Sequence, residues 1–299
     1  MIDIHSHLGN YEYFPKYFID GIVDSMFYNL KKEEQNLAYR RVIERVARIM
    51  LSDNDGKRQL EQAEEAGITK SVLLIVDFLY DELDDMKFIE KIHSDHRALL
   101  EKEPDKWSVF AGIDPRRKHG MDLLEKSIKE YNFSGLKLYP PCGFELDDKQ
   151  VFPYYEFCQE NEIPVLTHTG PSLGNMKISN RLVESVENVV KKFKSLNLIL
   201  AHAGILYHDE AIELSKHEHL YVDISGFEKE IDNIDLLEYK FKRLFYNMPE
   251  RVLFGTDWPL FNFNIKQKAW IRRLESLKAL SDKEKEMLFE KNAMALLKR

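Results

Sequence analysis

Two rhythms of apolar and polar positions take turns along this chain. MIDIHSH opens it by setting Ile2 and Ile4 against Asp3, His5 and His7, the period-two pattern of a strand with one apolar face. SVLLIVDFL, further on, is a nearly unbroken apolar run, as a strand buried on both faces is. From there helix and strand alternate. Residues 88–101 read as a helix, WSVFAGIDP as a strand, MDLLEKSIKEY as a helix and SGLKLYPP as a strand. FPYYEFCQEN, RLVESVENVVKKF, EAIELSKH and residues 236–245 continue the helices, and IPVLTHTG, LNLILAHAG, LYVDIS and RVLFGTDWP continue the strands. QLEQAEEAGITK, ahead of the second strand, is a helix that Gly67 stops. Residues 271–298 are helical, with Ser281 as the N-cap of DKEKEMLFEKNAMALL.

Strands separated by helices imply parallel pairing, and eight such units predict an α/β fold, a closed (β/α)8 TIM barrel. An open doubly wound sheet would carry a G-x-G-x-x-G turn after its first strand, and this sequence has none there. One stretch departs from the alternation. Residues 11–60 hold no strand-like run, only an aromatic piece (YEYFPKYFIDGIVDSMFYNL) and a charged helical one (AYRRVIERVARIM). A barrel takes about 250 residues, so the 299 of this chain read as one domain, 1–299, with a helical insertion at about 11–60. Loops on the active face vary over a constant scaffold. The insertion is therefore where substrate choice, or contacts within a homodimer, are expected.

Composition narrows the partners more than the chemistry. The chain is 44% hydrophobic and 31% charged, as soluble globular proteins are, and no apolar run approaches the length of a membrane span. Its start has no basic n-region and a polar H-S-H in place of an apolar stretch, so no signal peptide is expected. Cys142 and Cys158 follow none of the paired spacings of zinc ribbons or redox motifs, which fits two reduced thiols in a cytoplasmic protein. A net charge of −8 disfavours non-specific nucleic-acid binding and leaves a small-molecule substrate as the expected partner.

In a (β/α)8 barrel the active site lies at the C-terminal ends of the strands. Those ends collect His5 and His7, Asp77, Asp114, Lys137 with Tyr139, His168, His202, Asp223 with Ser225, and Asp257. Four of the ten histidines thus fall at the tips of three strands. His5 and His7, two apart, point the same way at a Cα separation of roughly 6–7 Å, so both rings reach one ion at Zn–N distances of about 2.0–2.1 Å. Neutral imidazoles with a carboxylate form the ligand set of a catalytic Zn²⁺ or a similar divalent ion. Such an ion lowers the pKa of bound water toward about 7, and an adjacent carboxylate can accept a proton and pass it on.

MIDIHSH, AGIDPRR, SGLKLYPP, IPVLTHTG, ILAHAG, LFGTDWPL and the closing EKNAMALL together resemble the amidohydrolase superfamily over nearly the whole chain. Within it the sequence is most similar to amidohydrolase family 2, the metal-dependent hydrolases and non-oxidative decarboxylases that include aminocarboxymuconate-semialdehyde decarboxylase-like proteins. The resemblance implies His5, His7, His168 and Asp257 as ligands of one metal. It places His202 beside the metal-bound water as an acid–base or polarising residue and makes Asp257 a proton shuttle as well. Lys137 has two readings. In two-metal members a lysine here is carboxylated and bridges the ions, with His168 and His202 on the second; many members of this group have the lysine and a single ion. One ion per chain, Zn²⁺ or alternatively Mn²⁺, is expected, with Lys137 contacting substrate. The implied reaction is hydrolysis of an amide, ester or lactone of a small molecule. The alternative is decarboxylation of a small unsaturated or aromatic acid.

The other polar residues receive plainer readings. His217 and His219 precede a strand and so belong to the structural face of the barrel. His93 and His96, three apart on a charged helix, are expected on a solvated face. Asp3 lies a layer deeper than His5 and His7, where a buried carboxylate needs a partner, and its expected role is structural support. Cys158 falls on an apolar helix face. Arg116 and Arg117 either clamp a substrate carboxylate or sit in a surface loop. Tyr80 and Trp258 are expected to wall the pocket; Tyr139, Arg116 and Trp258 are the substrate-binding candidates.

Overall fold

The strands form where the apolar runs end in histidine, aspartate or lysine. They are β1 (Ile2–Ser6), β2 (Lys70–Leu74), β3 (Trp107–Gly112), β4 (Gly135–Leu138), β5 (Val165–Thr167), β6 (Leu198–Leu200), β7 (Leu220–Asp223) and β8 (Val252–Leu253). In this computed structural model, which describes residues 1–78, 86–170, 172–173, 176–177, 179, 181–204, 208–260 and 266–297, they make one parallel sheet in sequence order. The sheet curls until its ends meet. Ile4 N donates to Phe254 O at 2.9 Å, Asp257 N to His5 O at 2.7 Å and His7 N to Trp258 O at 2.7 Å, so β1 closes on the segment that follows β8. The result is a nearly closed (β/α)8 barrel, as the alternation predicts.

Period-two placement sorts the strand residues. Leu73, Val109, Leu136, Leu198 and Phe254 share one apolar cluster with helical residues such as Leu123, Val186 and Phe241, so they face outward. Val72, Leu74, Phe110, Leu166 and Ile199 occupy the alternate positions and form a second cluster inside the barrel. Lys137, between the outward Leu136 and Leu138, therefore points inward.

The helices are α1 (Lys16–Tyr28), α2 (Leu37–Met50), α3 (Lys57–Ala66), α4 (Lys87–Lys102), α5 (Gly120–Lys129), α6 (Phe152–Glu160), α7 (Leu182–Lys192), α8 (His208–Leu214), α9 (Ile234–Asn247), α10 (Gln267–Glu275), α11 (Asp282–Glu286) and α12 (Asn292–Leu296). Gly67 stops α3 in the left-handed conformation, φ +80°, that glycine alone adopts without strain. In the insertion the aromatic piece is itself a helix, α1. Its Phe18, Ile19, Ile22 and Val23 join Ile43 and Ala47 of α2 in an apolar cluster that includes Phe78.

The C-terminal segment is helical on either side of residues 276–281, and Ser281 caps α11 as expected, closing a capping box with Glu284. One expectation needs correction: His93 and His96 are not solvated, being 0% and 2% exposed. Each turns Nδ1 onto a carbonyl one turn back in α4, Ile89 O and Ile92 O, both at 2.8 Å. His93 stacks on Phe133, and His96 lies against Tyr13. Burial lowers both rings to about 4, so they are neutral core residues. The charges of KIHSDHRALL occupy the opposite side of that helix and masked its apolar stripe.

Candidate metal centre

Asp3, the deepest polar residue of β1, is fully buried, and its carboxylate accepts from His5 N at 3.1 Å, Thr256 N at 3.0 Å and Thr256 Oγ1 at 2.6 Å. It thus pins the chain after β8 to the strand that carries the histidines, the structural role expected of it. Asp257 and His202, just past β8 and β6, have φ values of +51° and +64°. L-residues take this left-handed backbone at a cost of roughly 1–2 kcal/mol each. Strain of this kind gathers at functional sites, and here it turns both chains off their strands at the barrel mouth.

The ligand atoms of His5, His7 and Asp257 lie within 4.8 Å of one another, all three residues buried. Their hydrogen bonds decide what they offer. His7 Nδ1 faces Leu74 O at 2.8 Å, and a carbonyl only accepts, so the proton is on Nδ1 and Nε2 presents a lone pair. His5 Nδ1 faces Asp223 Oδ2 at 2.8 Å, which fixes the same tautomer. Both Nε2 atoms then converge on Asp257 Oδ1, at 3.3 Å from His5 and 3.0 Å from His7. Three acceptors meet at one point and demand a positive charge. The titration of His5 reflects that demand: burial opposes its charge, but Asp223 and Asp257 overcome it and raise the ring to about 9. Asp257 is held well below the usual carboxylate range, because His5 and His7 outweigh its burial. A divalent cation bound between the three would satisfy all of them at once, so the donor set fits a metal.

Asp223 belongs to the layer behind. It sits with His5 and His202 in a second acid–histidine group, but its oxygens are already committed. Oδ2 takes His5 Nδ1, and Oδ1 takes the amides of His202 at 3.1 Å and Ser225 at 3.0 Å as well as the Ser225 hydroxyl. We read it as the group that orients His5. Ser225 Oγ lies 2.9 Å from His202 Nδ1, and His202 Nε2 lies 3.1 Å from His168 Nδ1. Burial keeps His202 neutral, at about 4.

The structure thus brings His5, His7 and Asp257 together and sets His168 and His202 beside them on the same cavity. His168 is paired with His202 rather than clustered with the three ligand atoms; its Nε2 has no hydrogen-bond partner among the described residues. Lys137 is 2% exposed and its Nζ has none either; burial lowers it to about 8 against the pull of Asp257 and Asp223. Tyr139 lines the cavity, its ring 4.9 Å from that of His168.

Two substrate-binding candidates stand elsewhere. Arg116 grips Asp114 through Nε at 2.8 Å and Nη2 at 2.6 Å and donates to Gly143 O and Cys142 O. Trp258 is turned away as well: its Nε1 donates to Gln62 Oε1 at 2.9 Å. Neither lines the cavity. Arg117, 4% exposed, is bound to Asp77 at 2.8 Å, so it is neither a substrate clamp nor a surface residue. Tyr80 lies outside the described residues.

The cavity itself holds about 570 Å³. Its floor is the polar group above. Its walls add Phe78 and Tyr139, then Phe18, Ile22 and Met26 from α1, and a turn after β7 that supplies Glu228, Lys229 and Asp232. That last wall has no counterpart among the candidates the sequence offers, which end at Ser225 after strand 7. The signal was FEKE, four residues with three charges directly after a strand tip.

A barrel of eight parallel strands with a histidine–carboxylate centre at their C-terminal ends defines the class: a (β/α)8 barrel built to hold a divalent metal in its mouth. Within that class, the chain belongs to the amidohydrolase family, whose model matches residues 2–299. No curated protein matches it. Among solved structures it is similar to a dihydroxybenzoic acid decarboxylase from Polaromonas sp. JS666 with bound manganese and the inhibitor 2-nitroresorcinol (17% identity, 99% of this chain and 96% of that one, TM-score 0.68). It is similar also to a 5-carboxyvanillate decarboxylase from Novosphingobium aromaticivorans DSM 12444 complexed with manganese and 4-hydroxy-3-methoxy-5-nitrobenzoic acid (15%, 100% and 96%, TM-score 0.71). A third is a 4-oxalomesaconate hydratase from Rhodopseudomonas palustris (21%, 99% and 95%, TM-score 0.63). At these identities the likeness is one of fold.

Proposed function

We propose that the protein is a metal-dependent decarboxylase of a small aromatic or unsaturated carboxylic acid, which exchanges the order of the two reactions expected from the sequence. The observation that carries this reading is Lys137: a buried ammonium without a hydrogen-bond partner among the described residues, inward-facing beside the His5–His7–Asp257 group, in a cavity flanked by the rings of Phe78 and Tyr139. A flat acid fits such a slot with its carboxylate toward the ammonium. Decarboxylases with bound manganese among the structures of the same fold support it.

His5, His7 and Asp257 would hold the ion, with His168, whose Nε2 has no hydrogen-bond partner among the described residues and which lines the same cavity, as its fourth ligand, and the ion would supply Lewis-acid polarisation of a substrate oxygen. Lys137, lowered by burial to about 8 against the pull of Asp257 and Asp223, orients the substrate carboxylate. The carbon–carbon bond to that group breaks, CO₂ leaves, and the carbon it leaves behind must take up a proton. Asp257 and His202, both buried at the cavity floor, are the groups that hold and move it. Phe18, Ile22 and Met26 exclude water from the slot.

A second reading, hydrolysis of an amide, ester or lactone, is favoured by the same Asp257 and His202, which also suit proton transfer from a water nucleophile. Elemental analysis of wild type and Lys137→Ala, followed by assay of the Mn²⁺-loaded and Zn²⁺-loaded protein, separates the readings. One ion per chain in both proteins, with CO₂ release from a hydroxybenzoate panel that Lys137→Ala reduces at least about a hundredfold, is the expected result. Two ions in wild type that fall in the variant, with turnover only of amides, esters or lactones, would overturn it for hydrolysis.

A further inference from the structure

Glu228 is a buried cavity-lining carboxyl that the reaction above leaves without a task and that has no hydrogen-bond partner among the described residues. It belongs to the short turn Phe227–Glu230 after β7 and is 1% exposed, and neither carboxylate oxygen has a hydrogen-bond partner among the described residues. Burial opposes its charge and outweighs the amides of Glu228 and Gly226 and the neighbouring Lys229 ammonium, which favour it. Its neighbours across the cavity include Asp257, which disfavours that charge. A carboxyl so placed gives up its charge rather than stay buried and unpaired. As a neutral acid it holds one O–H donor and an acceptor, both unused. Lys229, adjacent on the same wall and exposed, supplies positive charge at the rim.

We propose that Glu228 is a further substrate-binding residue, whose O–H donates to a hydroxyl or carbonyl oxygen on the substrate, and that Lys229 beside it draws the anionic substrate to the rim. The substrate is thereby an acid with two oxygen functions: the carboxylate that reacts and a second oxygen that Glu228 recognises. This rests on the reading of the cavity as the substrate site. It goes beyond that reading because a plain carboxylic acid satisfies Lys137 but leaves Glu228 unpaired, and buried polar groups discriminate most strongly against ligands that leave them so. Nothing is oxidised or reduced, and the Glu228 proton stays on the chain.

The test measures binding of benzoate and of 2-, 3- and 4-hydroxybenzoate to the Mn²⁺-loaded protein by titration calorimetry, in wild type, Glu228→Gln and Glu228→Leu. Wild type should prefer at least one hydroxybenzoate over benzoate by about tenfold or more. Glu228→Leu should erase that preference, with benzoate bound as tightly as by wild type or more tightly and Mn²⁺ affinity unchanged. Glu228→Gln, which keeps an N–H donor, should retain most of it. Infrared difference spectra give a second readout: a protonated-carboxyl band at neutral pH that is absent from Glu228→Gln and shifts when the preferred probe binds. The same preference in wild type and Glu228→Leu, no preference in wild type, or an ionised Glu228 would each overturn the proposal. A protein that binds Mn²⁺ and releases CO₂ with any of those outcomes would keep its proposed function and lose this residue's role. If either variant is unfolded by circular dichroism, the wild-type probe preference and infrared band still decide.

Discussion

At the residue scale the centre depends on the bonds behind its ligands. Asp223 fixes the His5 ring through Nδ1 and also holds the His202 and Ser225 amides. Asp223→Asn keeps the volume but removes the charge, so His5 loses both its fixed tautomer and its basicity. Mn²⁺ affinity, measured by chelator competition, should fall about 10–100-fold, and an unchanged affinity would place Asp223 outside the support of the site. Glu228 makes a pH prediction of its own. Burial raises it from 4.5 to about 8. Below the lower value folded and unfolded chains both carry the proton. Between the two only the folded chain does, so each unit of rising pH removes about 1.4 kcal/mol of stability. Urea midpoints of metal-loaded wild type should drop from about pH 5 to about pH 8 more steeply than those of Glu228→Gln; parallel profiles would mean the carboxyl is charged in the fold. The sequence showed His5, His7, His168, His202 and Asp257 because each closes an apolar run. It did not show that Asp223 serves His5, a pairing across the barrel between residues far apart in the chain.

At the element scale, the alternation of apolar runs made all eight strands legible, since a short parallel strand buried on both faces has little other composition open to it. The insertion was legible only as helical and variable. That α1 would lay Phe18, Ile22 and Met26 along the cavity depends on how α1 packs on α2, and amphipathicity alone does not choose the face's partner. Phe18→Ala should therefore raise KM for the true substrate about tenfold or more, with the metal content of wild type, through lost apolar contact. A fall in kcat alone would make α1 a catalytic element instead of a wall. The C-terminal capping box gives a control far from the site: Ser281→Ala should cost about 1 kcal/mol and leave Mn²⁺ affinity unchanged. Arg116 shows why a charged residue after a strand is ambiguous in sequence. Asp114, two residues before it, captures the guanidinium before any ligand can.

Across the whole molecule the metal ligands straddle the barrel's seam. His5 and His7 stand on the first strand, and Asp257 follows the last, whose named strand is only two residues long. The seam is held by few backbone bonds, by Asp3 gripping Thr256, and by packing of α12 against β1 and β8. An ion between His5, His7 and Asp257 adds a cross-link at the place where the sheet has least pairing of its own. Binding to the folded chain alone stabilises by about 2.7 kcal/mol when free ion is a hundredfold above its Kd, which for a chain of this size is a rise in Tm of several degrees. Mn²⁺ should produce that rise in wild type and none in His5→Ala or Asp257→Asn. The location matters as much as the size. Hydrogen exchange at the amides of Ile4, His7 and Asp257, which bond across the seam, should slow on adding Mn²⁺, while amides between β3 and β4 should keep their rates. Equal slowing at both places would mean that the ion stabilises the barrel only through the global equilibrium, and the seam would then be no weaker than any other strand pair.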